Sequence, residues 1–254
     1  MCEVLLFWDF FVKKIYIIKI IAVISAFVIS CDDEIFEIGC DARGSGNFTA
    51  ETRELYNFNK VTTRLSGDIF IKQDTTESFR IETDDNIHAF VKTWIKNGNL
   101  YIDSDKSICP KKLEFNIGMT DINGFSIEGS SDITSLTPIK TNELLFVISG
   151  SGDIDFKNVT TDDIGITING SGDVMITGTA VNSNIVISGS GDIIMGEMPA
   201  NTVNLVISGS GDVRINVREK LNVTISGSGD VYYKGSPKDV NTNISGSGRL
   251  IKVD

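Results

Sequence analysis

The residues with the clearest chemical potential are aspartates that follow a repeated glycine-serine string. The string VISGSGD occurs at 147–153, 186–192 and 206–212, and four related strings stand at similar spacing. Successive strings end 18 to 21 residues apart. The final position of each string, called the slot below, holds in turn Asp132, Asp153, Asp173, Asp192, Asp212, Asp230 and Arg249. A glycine-rich turn cradles phosphate when a helix follows it, and clustered carboxylates bind Ca²⁺. The alternatives are therefore a phosphate loop, a calcium motif and a structural repeat.

Apolar residues recur at fixed distances from each of these slots. Five residues before the slot stand Ile127, Ile148, Ile168, Ile187, Ile207, Ile225 and Ile244. The odd offsets are apolar and the even offsets are mostly polar, which is the period of a strand with one buried face. The sequence therefore predicts two short strands around each glycine corner, with these isoleucines as an internal ladder.

A period near 20 residues suits one coil of a solenoid and is far from the nine-residue repeat of calcium-binding turns. No helical periodicity follows any of the strings, so neither a phosphate loop nor a βαβ crossover is indicated. The predicted fold is all-β, a single-stranded, right-handed parallel β-helix whose coils stack about 4.8 Å apart.

The corner itself allows two accounts of its glycines and two of its aspartates. The glycines either point inward where two walls converge or adopt positive φ. The alternation turns Asp and Ser outward, with one serine column containing Ser151, Ser171, Ser190, Ser210 and Ser228. Carboxylates about 4.8 Å apart repel by on the order of 3 kcal/mol before screening. Either an Asx-type turn with N–H and serine donors offsets this, or a weakly bound cation such as Ca²⁺ does.

The N-terminus has the pattern of an export signal. Lys13, Lys14 and Lys19 precede the apolar segment 20–30, which is too short to span a bilayer comfortably. The segment ends in VISC, which resembles the lipobox of bacterial lipoproteins and makes Cys31 the predicted lipidated residue. An uncleaved anchor helix over 15–30 is the alternative. We expect a signal peptide at 1–30 and contact with the membrane through the lipid.

The remaining chain divides by pattern. Residues 31–56 are predicted to be the lipidated cysteine and a tether, and 57–254 a β-helix. Within it, 57–125 lack the regular string and leave room for about three degenerate coils, whereas 126–254 carry the regular coils. An oxidising compartment permits a disulfide between Cys40 and Cys109.

The composition of the chain argues against several classes of function. The net charge of −11 argues against nucleic-acid binding. His88 is the only histidine, so we expect no Ser-His-Asp set, no cysteine-histidine zinc motif and no cofactor.

We therefore expect a non-catalytic protein that binds a glycan or a surface protein. A polysaccharide lyase or hydrolase is the alternative, and mineral or ice recognition by the Ser/Ser/Asp grid is a minor one. The candidate acids for an enzyme are Asp84, Asp85, Asp162 and Asp163, and the candidate sugar-stacking residues are Trp94, Tyr232 and Tyr233.

Three further segments carry a family resemblance. GSGNFTAETRELYNFNKV at 44–61, SGDIFIKQ at 66–73 and VKTWIKNGNLYI at 91–102 precede the regular coils. Together they resemble the putative auto-transporter adhesin head-GIN domain family, which is common in Bacteroidetes. The resemblance implies a β-helix of an exported protein, often an outer-membrane lipoprotein that is periplasmic or surface-exposed, and it carries over no catalytic residues. Ser131 and Arg249 depart from the repeated pattern.

Overall fold

Every regular element of the computed structural model, which describes residues 39–254, is a β-strand. The strands are β1 (Ala42–Arg43), β2 (Phe48–Thr52), β3 (Lys60–Thr63), β4 (Asp68–Gln73), β5 (Ser78–Asp84), β6 (Val91–Lys96), β7 (Asn99–Ser104), β8 (Ile108–Cys109), β9 (Leu113–Met119), β10 (Gly124–Ile127), β11 (Ile133–Ser135), β12 (Ile139–Lys140), β13 (Glu143–Ile148), β14 (Ile154–Ile168), β15 (Val174–Ile187), β16 (Ile193–Ile207), β17 (Val213–Ile225), β18 (Val231–Gly235), β19 (Asp239–Ile244) and β20 (Leu250–Lys252). No helix in this part of the chain is long and apolar enough for a membrane crossing. The predicted signal peptide and Cys31 lie outside the described residues.

The regular coils stack as parallel strands in register. β13 to β17 pair in sequence order, so that Ile148, Ile168, Ile187, Ile207 and Ile225 are successive partners. These pairings confirm the predicted all-β solenoid, which has about six turns. Alternation along each strand sends every second side chain into one continuous core, because parallel stacking aligns equivalent positions of successive coils.

The isoleucine ladder is buried at all but one of its positions. The six from Ile127 to Ile225 are completely buried. Ile244 differs from the prediction, since 42% of it is exposed. Its strand β19 pairs with β17 alone among the described residues, so no further coil covers this end of the ladder.

The first half of the chain stacks out of sequence order. β3 pairs with β10 on one side and β7 on the other, and β4 pairs with β11 and β9 in the same way. The coil at 60–73 therefore lies between a coil at 99–119 and the coil that begins at 124. The expectation of about three degenerate coils is replaced by two coils and antiparallel strands: β5 pairs with β2 and β9, and β6 pairs with β7. These strands cover the end of the stack, where a parallel coil would leave its edge unpaired.

The segment that begins at Cys40 is part of this end. Cys40 forms a disulfide with Cys109, β1 pairs with β8, and β2 pairs with β5. The tether predicted for 31–56 is therefore wrong for residues 40–56. These residues lack the regular string, which is why the pattern indicated a tether, whereas long-range strand pairing orders them.

Candidate functional site

The corner glycines are required by close stacking of the coils. A Cβ built on Gly170 would overlap the carbonyl oxygen of Gly150, its equivalent in the preceding coil, and the other corner glycines of the regular coils show the same overlap. None of them has positive φ, so the left-handed account is wrong. The overlap is with the backbone of the coil below and not with a converging wall. The glycines thus let the coils approach along the stack.

The aspartate column is a hydrogen-bonded ladder between coils. In each step the carboxylate Oδ1 accepts the backbone N–H of the next slot at 2.7–2.9 Å, from Asp132 through Asp230 to Arg249. The predicted Asx-type turn is wrong, because the donor belongs to the following coil. Among the described residues no serine hydroxyl donates to these carboxylates, and the predicted serine column, from Ser151 to Ser228, lies on the outside of the corner. The aspartates therefore join the coils at the corner.

The column of carboxylates continues beyond the repeated strings, into the first half of the chain. Asp68 is the partner of Glu114 and lies next to Asp132, so two carboxylates from the first half extend it. Partial burial, and then the charges of Asp132 and Glu114, raise the pKa of Asp68. At the other end the Arg249 guanidinium donates hydrogen bonds to the carboxylate of Asp230 and lowers its pKa. Repulsion along the column is relieved at this end by a cation of the chain itself.

The hydrogen-bond ladder supplies one N–H partner for each aspartate of the column. No group of three or more His, Cys, Asp or Glu within residues 39–254 is arranged to hold a metal ion. One oxygen of each aspartate is already engaged by an N–H. The suggested weak Ca²⁺ site at the column therefore gains no support from the geometry.

Ser131 shows why one corner departs from glycine. Its side chain is buried and its Oγ donates to the carbonyl oxygen of Leu65 at 2.9 Å. Ser131 Oγ also lies 3.0 Å from Thr63 Oγ1 and accepts the N–H of Gly67 at 3.3 Å. The coil below at this point is the irregular one at 60–73, whose polar groups provide partners for a hydroxyl. Serine therefore fits at this corner, because the coil below it is not one of the regular coils.

The acids considered for catalysis lie in two separate regions of the structure. Burial by itself would raise the pKa of Asp84, but backbone N–H groups of Gly46 and Lys111 donate to its carboxylate and hold that pKa below its ordinary value. Asp85 accepts a bond from a serine hydroxyl in the antiparallel end. Asp162 and Asp163 lie on β14, which pairs with neither β5 nor β2. The structure does not bring these two acid pairs together.

A second polar ladder, which the sequence patterns did not bring out, runs along the outer face. Asn184, Asn204, Asn222 and Asn241 are in register, and the side-chain NH₂ of each of the last three donates to the Oδ1 of the one before it at 2.7–3.0 Å. These residues stand eight positions before successive corner slots, so the signal was present in the repeat. The outer face is consequently rigid, because side-chain hydrogen bonds join successive coils along it.

The three aromatic residues considered for sugar stacking lie in different settings. The Trp94 ring stacks on Tyr101 with centroids 5.2 Å apart, and 38% of Trp94 is exposed. The ring of Tyr232 lies 5.0 Å from the Arg214 guanidinium on another part of the surface. Tyr233 packs half-buried against the core. The structure thus leaves Trp94 and Tyr232 accessible to a ligand.

Known proteins share this architecture. Residues 57–237 match the family described as putative auto-transporter adhesin, head GIN domain. A putative adhesin from Bacteroides fragilis is similar at 27% identity and TM-score 0.81, over 83% of this chain and 99% of that one. Two further structures are 22% identical and support the fold alone. One is a putative lipid binding protein from Parabacteroides distasonis (TM-score 0.72, 84% and 99% covered), and the other a putative adhesin from Parabacteroides merdae (0.66, 84% and 98%). No curated protein matches the chain.

Proposed function

This chain belongs to the putative auto-transporter adhesin, head GIN domain family, and we propose that it is a non-catalytic, adhesin-like protein of the cell envelope. It binds a glycan or a surface protein through the outside of its solenoid. The aspartate ladder carries the proposal. These aspartates are the most regularly spaced ionisable side chains in the sequence, and their hydrogen bonds join the coils. We infer that they hold the outer face rigid and that other side chains on this face bind the partner. A rigid surface loses little conformational entropy when a partner binds.

The binding function is tested by a panel of immobilised polysaccharides and glycans. We expect the protein to bind at least one member of the panel and to release no shorter fragments from it, because the two candidate acid pairs, Asp84 with Asp85 and Asp162 with Asp163, lie in separate regions. Binding is measured by surface plasmon resonance and cleavage by size-exclusion chromatography of the glycan. Depolymerisation would establish the lyase or hydrolase alternative instead, and a lack of binding to glycans and to envelope proteins alike would contradict the proposal.

The anchor in this proposal is a lipid on Cys31. The basic flank, the apolar segment 20–30 and the VISC string support it, and the acidic residues 32–34 follow directly. With this anchor the protein is an outer-membrane lipoprotein, either in the periplasm or at the surface.

Cys31→Ala is expected to abolish lipidation of the chain. The reason is that the thiol is the acylated group, and no other residue in the VISC string can replace it. The measurement is metabolic labelling with a fatty-acid analogue in a bacterial host, followed by mass spectrometry of the N-terminal peptide. Cys2→Ala is the matched control and retains the label. An equally labelled Cys31→Ala protein would disprove the anchor.

A further inference from the structure

A strip of basic and aromatic side chains lies on the outer edge of the irregular end. β6 turns Lys92, Trp94 and Lys96 to the same exposed face, since alternate residues of a strand share a side. β6 pairs with β7 alone among the described residues. Lysines on an edge strand discourage pairing with another sheet. That role does not require an exposed indole between them, so the strip calls for a second explanation.

The indole is held in a preformed stack. Trp94 and Tyr101 are cross-strand partners whose rings are nearly parallel, at 6°. Arg64, which follows β3 on the other side of β7, places its guanidinium 5.9 Å from the centre of the Tyr101 ring. Arg64 is fixed in turn by Asp103 at 3.1 Å and Glu128 at 2.6 Å. A ligand meets an aromatic surface whose side chains are already ordered, which lowers the entropy cost of binding.

The charged side chains around this indole are the cations Lys60, Arg64, Lys92 and Lys96 and the carboxylates Asp103, Asp105 and Glu128. The local balance is therefore cationic by one charge, against the net charge of −11 for the whole chain. Lys96 and Lys60 are both partners of Asn99, so they lie two strands apart, about 9.6 Å, on one face. Neither forms an ion pair within residues 39–254. Lys92 forms its one ion pair among the described residues with the exposed Asp105, at 3.3 Å, and its Nζ also donates to the carbonyl oxygen of Ala89 at 2.7 Å. Exposed pairs of this kind are weak, so Lys92 is readily available to an anionic ligand.

We propose that Trp94 and the lysines around it form a binding site for an acidic polysaccharide. The apolar face of one pyranose ring stacks on the indole, and carboxylate or sulfate groups of the chain bind Lys92, Lys96 and Lys60. An exposed aromatic flanked by donors is the composition typical of binding hot spots. This inference rests on the proposed adhesin-like function, because it names the site and the ligand class of that binding.

The experiment uses soluble protein spanning 32–254, because residues 40–254 form one compact unit with their own hydrophobic core. The probes are alginate for carboxylate, heparin for sulfate, neutral dextran, and vesicles of phosphatidylcholine with phosphatidylglycerol. We expect binding to alginate or heparin that weakens with salt, and no binding to dextran. Binding to vesicles in place of both acidic polysaccharides would overturn the inference in favour of a membrane contact.

Trp94→Ala is expected to weaken this binding by at least about tenfold, and Lys96→Gln to weaken it and flatten its salt dependence. Trp94→Phe keeps a ring on Tyr101 and is expected to retain part of the affinity. Tyr232→Ala, a partly exposed aromatic elsewhere, is the matched control and should bind as wild type. Circular dichroism checks that each variant is folded. Should Trp94→Ala be misfolded, Trp94→Phe and Lys96→Gln decide the question.

The outcomes separate this inference from the function on which it rests. Wild-type affinity in Trp94→Ala, or in both Trp94→Phe and Lys96→Gln, would overturn the site. Wild-type protein that binds a neutral glycan or an envelope protein, but neither alginate nor heparin, would overturn the ligand class and leave the adhesin-like function standing. Wild-type protein that binds nothing would contradict both.

Discussion

Replacing Ile168 by Ala is expected to lower the free energy of unfolding by about 2–5 kcal/mol. Ile168 is completely buried and lies between Ile148 and Ile187 in the internal ladder. The substitution removes apolar contacts and leaves a cavity that the stacked backbones on either side cannot close without breaking strand hydrogen bonds. Urea denaturation followed by circular dichroism measures the change.

Ile244→Ala is the matched control, because it makes the same chemical change at the same position of a coil. Its side chain is 42% exposed, so we expect a loss on the order of 1 kcal/mol. Equal losses at Ile168 and Ile244 would mean that the ladder is not the source of stability.

The regular half of the fold could be predicted from sequence because its information is local and repeated. The alternation of apolar and polar residues around each corner predicts which side chains face inward. Their common distance from the aspartate slot predicts which of them contact one another in successive coils. Ile127 and Ile225 needed no structural knowledge to be placed in one ladder. The asparagine ladder follows from the same offsets, but asparagine at a polar, outward position gives no local sign that it bonds to the next coil.

The irregular half could not be predicted because its pairings are long-range. Nothing near Lys60 indicates that its strand lies between one that begins at Asn99 and one that begins at Gly124. The order of residues 40–56 likewise depends on Cys109 and on β5, which are distant in sequence. Trp94 was identified as a residue that could stack on sugars, but its partner Tyr101 and Lys60, two strands away, became visible only with these pairings.

At the corner, the chemistry of glycine and aspartate fixes what each residue needs but not where its partner lies. Glycine is required there for shape, as expected, but the shape is the distance between coils and not a special φ. The aspartate carboxylate accepts an N–H, as expected, but that N–H belongs to the aspartate of the next coil. Sequence identifies the residue types at such a corner, whereas the direction of each contact depends on the stacking.

The central claim is that the repeated string forms the corner at which successive coils stack. Gly170→Ala tests this claim by adding one methyl group at one corner. A methyl group there would overlap the carbonyl oxygen of Gly150, which also accepts the N–H of Ser171 at 3.0 Å. The coils must separate locally and that bond must lengthen, so we expect the free energy of unfolding to fall by about 1–3 kcal/mol or more. Gly196→Ala is the control: its new methyl would meet only the Lys234 side chain, at 3.6 Å.

The most direct measurement is the difference in unfolding free energy between these two variants, from urea denaturation of both proteins. The stacking account predicts a marked loss for Gly170→Ala and no loss, or a gain of about 0.4–1 kcal/mol, for Gly196→Ala. If Gly170→Ala unfolds at the urea concentration of the wild type, the coils do not meet at this corner, and the string must have another purpose.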